Sequence, residues 1–160
     1  VDGVLLKDGG ATIAADATLA VTTADKLTVG GVIVPQTMVI ACPLQQHASV
    51  TTRELFYAQT DGWTVTGIVT VMSVAEGTGS VVATICKVTG NNVAVAATTP
   101  MVTAAIAMTT TAGTPVVSTL TATGADLVLA ATNKIGVIFS GGDTFLDSGV
   151  GTVYIKMKRS

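Results

Sequence analysis

Between Arg53 and Val74 the chain reads RELFYAQTDGWTVTGIVTVMSV, and its apolar and polar positions alternate. Trp63, Val65, Val69 and Val71 share one parity and Thr64, Thr66 and Thr70 the other, the period of a strand with one buried face. The turn Gln59-Thr60-Asp61-Gly62 separates this run from Glu54 to Ala58, so the stretch reads as the first hairpin of a β-sandwich with Trp63 as a core anchor. Ile68 and Met72 fall on the threonine parity. That places two apolar side chains on the outward face, as expected where a second layer or another chain covers it.

The same pattern recurs at short intervals downstream. Strands are predicted over Ser80 to Val88, Val93 to Ala97, Thr103 to Met108, Val116 to Thr121, Leu127 to Ala130, Lys134 to Ser140 and Val150 to Lys158. Gly-rich or Asn-rich turns lie between many of them. The last strand alternates most cleanly, with Val153, Ile155 and Met157 inward and Thr152, Tyr154, Lys156 and Lys158 outward. Ile135, Val137 and Phe139, with Leu127 and Leu129, line the same core. Pro100 to Met108 is the best helical candidate, but Thr103 and the following Thr109-Thr110-Thr111 run favour an extended or single-turn reading. The class is all-β, and over residues 46–160 the short strands and Gly-rich turns suggest a sandwich or a small barrel.

Residues 1–45 have a different texture, with short pieces (Val4 to Lys7, Thr18 to Thr22, Leu27 to Val34, Met38 to Cys42) broken by Gly-Gly, Ala-Asp and Pro-Gln. They read as an extended N-terminal arm or small β-subdomain that docks elsewhere, or as extra strands of the sandwich itself. In the first reading the clusters Val32, Ile33, Val34 and Met38, Val39, Ile40 need another surface. With Ile68 and Met72 they form the candidate interface.

Composition sharpens that expectation. Among 160 residues only 11% are charged and 49% are hydrophobic, against about a quarter charged in an average soluble chain. Too few charges remain to cover a free surface, so a homo-oligomer is expected, a trimer with a dimer as the alternative. The charge-free spans Leu27 to Thr52 and Val88 to Ala125 are interrupted by prolines before reaching the ~18 apolar residues of a spanning helix. No membrane partner is therefore expected. The N-terminus lacks the basic and apolar regions of a signal peptide, which points to synthesis in the cytoplasm. Cys42 and Cys86 have no metal or redox spacing and read as buried free thiols. A net charge of −2 and a single basic run at Lys156 to Arg159 argue against a nucleic-acid partner.

Catalytic chemistry finds little support. The one histidine, His47, sits in a polar connector with no nucleophile placed beside it. The acids are scattered in turns, and Asp143 and Asp147, flanking Phe145, read as solvated rather than as a calcium site. The glycine pairs lack the spacing of a phosphate loop. No catalytic, cofactor or metal residues are assigned.

Glu54-Leu55-Phe56-Tyr57 before a Trp-Thr-Val-Thr strand, Leu120 to Thr123 leading into Ala125 to Ala131, Lys134 to Gly141 and the closing Val-Tyr-Ile-Lys-Met-Lys strand together resemble the decoration, or cement, proteins of tailed-bacteriophage heads. The resemblance covers about two thirds of the chain, Arg53 to Lys158. It implies a jelly-roll-like antiparallel β-sandwich over residues 46–160 and a non-enzymatic virion protein, made in the host cytoplasm and placed on the head exterior, that stabilises the shell by bridging major capsid protein subunits. A receptor- or glycan-binding module of a phage fibre or surface protein is the alternative.

Overall fold

The computed structural model describes residues 28–29, 32–33, 36–45, 51–59, 62–75, 81–90, 93–95, 99–141 and 149–159. The chain divides into two units, Val1–Val34 and Pro35–Ser160. In the first, β1 (Thr28–Val29) pairs antiparallel with β2 (Val32–Ile33), with Gly30 and Gly31 as the sequence between them. The expected pieces at Val4 to Lys7 and Thr18 to Thr22 lie outside the described residues, as does Val34.

The second unit is an antiparallel sandwich. One sheet has the order β3 (Thr37–Gln45), β11 (Val150–Arg159), β5 (Trp63–Val74), β8 (Pro115–Ser118), with the short β9 (Val128–Leu129) beside one end of β5. The other has the order β4 (Thr52–Tyr57), β10 (Lys134–Ser140), β6 (Val82–Val88), β7 (Ile106–Ala107). First and last strands are neighbours in the first sheet, second and second-to-last in the other. This nesting of eight strands is the jelly roll.

Inner faces meet in one core. Leu44, Ile68, Met72, Val153, Ile155 and Met157 come from the five-stranded sheet and Ala83, Ile85, Ile135, Val137 and Phe139 from the other. Met101 and Met108, in the crossing segment between β6 and β8, are fully buried in the same cluster. The predicted parities of β10 and β11 hold along their inward residues.

β5 departs from its predicted parity for a local reason. Lys156 faces Gly67 but Met157 faces Val65, so Thr66 is an extra residue in the ladder, a β-bulge. A single inserted residue turns every later side chain over. Val65 points inward before the bulge; after it Ile68, Thr70 and Met72 are buried, and Val69 and Val71 lie on the other face. The expectation that Ile68 and Met72 face outward is corrected: both have zero exposure. Trp63 is only half-buried at the end of the core, with the Arg159 guanidinium 5.9 Å from its ring centroid.

The boundary near residue 45 is also corrected. Thr37–Gln45 pairs with β11 along its whole length, from Lys158 opposite Thr37 to Val150 opposite Gln45. Leu44 is fully buried and Met38 and Ile40 pack on the core. A chain beginning near Ala48 would lack this strand, whereas one beginning near Pro35 would retain it.

Other elements are shorter than the pattern predicts. Thr103 to Met108 contributes only Ile106–Ala107, and Val93 to Val95 is not a strand. Leu127 closes a one-turn helix, α1 (Gly124–Leu127), before β9 begins.

Candidate functional site

Residues directly opposite one another in adjacent strands share a face. On the five-stranded sheet this gives an outward row of Ala41, Tyr154, Val69 and Val117, and beside it a row of Pro43, Thr152, Val71 and Pro115. Val150 and Val74 continue the surface at one end, and Val39 lies opposite Lys156 toward the other. The result is an apolar strip across β3, β11, β5 and β8. Val117 is 74% exposed, Val39 and Val74 each 59%. Among the described residues, Tyr57 and Val93 are the only exposed large apolar side chains that do not belong to this face or, like Val128, to its margin.

The opposite outer face is treated differently by the same chain. On the four-stranded sheet Cys86, Val88 and Val95 form a small second core, with Ile138 packed against it. Val95 sits directly on Gly136, where an added Cβ would come within 2.5 Å of its methyl. Val95 thus covers an apolar patch of one outer face, and among the described residues nothing covers the other.

Charge is uneven on the bare face. Lys156 and Lys158 project from β11 at one end, opposite Val39 and Thr37. The described acids, Glu54 and Asp126, are elsewhere: Glu54 on β4 pairs with the buried Lys134, and Asp126 is in α1. Next to β8 an open groove of about 250 Å³ runs between Thr103 to Ala107 and Val116 to Thr119, continuous with the strip through Val117. Its lining is alanine, threonine, serine and aliphatic carbon, with no acid, base or thiol. Such a surface offers area and shape rather than reactive groups.

The two thiols are free and buried, as expected. Cys42 Sγ donates to the Leu55 carbonyl at 3.4 Å, and burial pushes its pKa up. Cys86 Sγ donates to the Gly136 carbonyl at 3.5 Å, and burial pushes its pKa from 9.0 to about 11. Between those values the unfolded chain has lost the Cys86 proton while the folded chain keeps it. Stability from this group is therefore complete below pH 9.0 and declines as pH rises toward about 11. Denaturant unfolding at about pH 8 and about pH 10.5 should show a fall that is smaller in Cys86→Ala.

Of the predicted interface residues in the second unit, only Val39 lies on this outer face with an exposed side chain. Met38 and Ile40 belong to the core side of β3, Ile68 and Met72 to the core itself, and Val32 and Ile33 to β2 in the first unit. The sequence reading missed Val117, Val74 and the outward role of Val69 and Val71. Gly67, isolated inside the strand pattern, is the local sign that could have revealed the turnover. His47, Phe145, Asp143 and Asp147 lie outside the described residues. Among the described residues no three His, Cys, Asp or Glu side chains cluster as a metal site would require, and no helix is long and apolar enough to cross a membrane.

No family model matches the chain, and no curated protein does. Among solved structures it is similar to a chain of the cyanophage Pam1 capsid asymmetric unit, with 13% identity and a TM-score of 0.50, covering 94% of this chain and 99% of that one. At this identity the likeness is one of fold.

Proposed function

We propose that the chain is a structural protein of a tailed-phage virion that sits on the head exterior and stabilises it by bridging major capsid protein subunits. The observation that carries this reading is the contrast between the two sheet faces. Among the described residues, Val95 packs on the apolar patch of one outer face, and nothing covers the other around Val39, Tyr154, Val69 and Val117. An apolar strip of this kind is stabilised by burial against a partner, at roughly 25 cal/mol per Å² of apolar surface. Repeated over many copies on a shell, modest contacts of this sort add up. The similarity to a capsid-unit chain supports a virion setting.

The residues on that face are suited to contact rather than catalysis, and the reading is non-enzymatic. Residues of the first unit, including Val32, Ile33 and Val34, supply a second attachment, since short strands add readily to a neighbour's sheet edge. The fibre-module alternative calls for exposed aromatic rings side by side. Tyr57 and Tyr154, the exposed aromatics among the described residues, lie on different sheets.

Copy number tests the proposal. Purified particles of the phage that encodes the chain should contain the 16.0 kDa protein in a fixed, near-stoichiometric ratio to the major capsid protein by quantitative gel or mass spectrometry. A few copies per particle, or recovery only with detached tails, would sink the head assignment.

A further inference from the structure

Among the described strands β3 is a sheet edge, nine residues long, TMVIACPLQ, without a single charge. Sheet edges are ordinarily kept from pairing by short length, charges or proline. β8, at the far edge of the same sheet, has such protection: it is four residues long and begins with Pro115. β3 has only Pro43.

The backbone phase of β3 follows from one hydrogen bond. Arg159 N–H donates to the Gln36 carbonyl at 2.9 Å, so Gln36 and Arg159, which continue the register of the ladder, are a hydrogen-bonded pair. Such pairs alternate along an antiparallel ladder. Met38, Ile40, Cys42 and Leu44 therefore turn their N–H and C=O toward β11, and Thr37, Val39, Ala41, Pro43 and Gln45 turn theirs to the open edge. Pro43 falls where its missing N–H deprives β11 of nothing.

We propose that the protein pairs with a second copy of itself, edge to edge along β3, about a two-fold axis at Ala41. This register brings every open-edge residue opposite another: Thr37 with Gln45, Val39 with Pro43, Ala41 with its own copy. Polar ends meet polar ends, apolar meets apolar, and the residue on the axis is small. On the core side Met38 meets Leu44 and Ile40 meets Cys42, again all apolar. A charge anywhere but the centre of β3 would spoil one pair twice over, and a charge at the centre would meet itself; the strand has none. Of the five backbone pairs, two lose one bond to Pro43. A two-fold axis of this kind runs perpendicular to the sheet. Both copies then present their bare outer faces on the same side, as one strip of twice the width. The inference concerns the free protein and stands whether or not that strip meets a shell.

Sedimentation equilibrium of the full chain should give the mass of two 16.0 kDa chains. Ala41→Lys and Ala41→Glu, on an exposed side chain, should each give the mass of one chain with an unchanged circular-dichroism spectrum. Mixed in equal amounts they should return to the mass of two. Amide exchange in the unaltered protein gives a readout free of substitutions: the amides of Thr37, Val39, Ala41 and Gln45 should become protected as concentration rises. A single-chain or three-chain mass for the unaltered protein would overturn the proposal. So would a dimer that survives both substitutions, a mixture that stays monomeric, or edge amides that exchange fast at every concentration.

Discussion

Ile68→Asp should prevent the sandwich from folding, whereas Val69→Asp, one residue along, should give a folded protein. Ile68 has zero exposure and lies after the bulge at Thr66, among the core side chains of both sheets. A carboxylate there has no partner, and its desolvation costs several kcal/mol even if it takes up a proton. Whole domains are stable by only about 5 to 15 kcal/mol. Ile68→Ala, which keeps the site apolar, should remain measurable, with a loss of about 2 to 5 kcal/mol. Val69 is on the outer face opposite Tyr154 and Val117, so its aspartate reaches water and should cost about 1 kcal/mol, as is typical of single substitutions. Strict alternation from Trp63 onward would reverse the order. A folded Ile68→Asp chain beside an unfolded Val69→Asp chain would mean that the bulge is wrongly placed.

Gly151→Ala should cost about 3 kcal/mol, at the upper end for overpacking, while Gly67→Ala should be nearly neutral. Gly151 lies at the second register shift between β11 and β5, where Val150 faces Val74 but Gly151 faces Met72. A Cβ at Gly151 would fall 2.7 Å from the Val71 carbonyl oxygen, 2.8 Å from Met72 Sδ and 3.1 Å from Met72 Cα. Two of these atoms are backbone of a central strand, which cannot retreat without breaking its own ladder. At Gly67 the nearest atom is Lys156 Cβ at 3.8 Å, an ordinary contact. Urea midpoints at constant slope separate the two. Equal, small effects would show that β5 yields at the second bulge and that the close approach is not a constraint.

The sandwich was legible where pairing leaves a local trace. β5 and β10 have the bounds that alternation predicts and β11 runs one residue further, to Arg159, because each has a buried face and turn residues at its ends. Their inward residues were readable in β10 and β11, which keep one parity on their core side, and not in β5. A bulge is a property of two strands in register, and Thr66 looks like any other threonine in an alternating run. Membership of β3 was illegible for a related reason. Its partner is β11 at the other end of the chain, and nothing within Thr37–Gln45 records that. Val95 is apolar for a reason other than strand pairing, since it packs on the outer face of the four-stranded sheet. The candidate face inherited these errors. Its composition-based premise, too much apolar surface for a free monomer, pointed to a contact but not to Val117 or Val74.

The proposed attachment to the head through the outer face of the five-stranded sheet is tested by rebinding to stripped heads of a chain carrying Val117→Asp, Tyr154→Asp and Lys156→Glu, three side chains exposed on that face. The unaltered protein should re-decorate the heads to saturation, and the altered one, with the same circular-dichroism spectrum and a cooperative unfolding transition, should leave them bare at the same concentration. Saturation by the altered chain equal to that of the unaltered one would rule out attachment through this face.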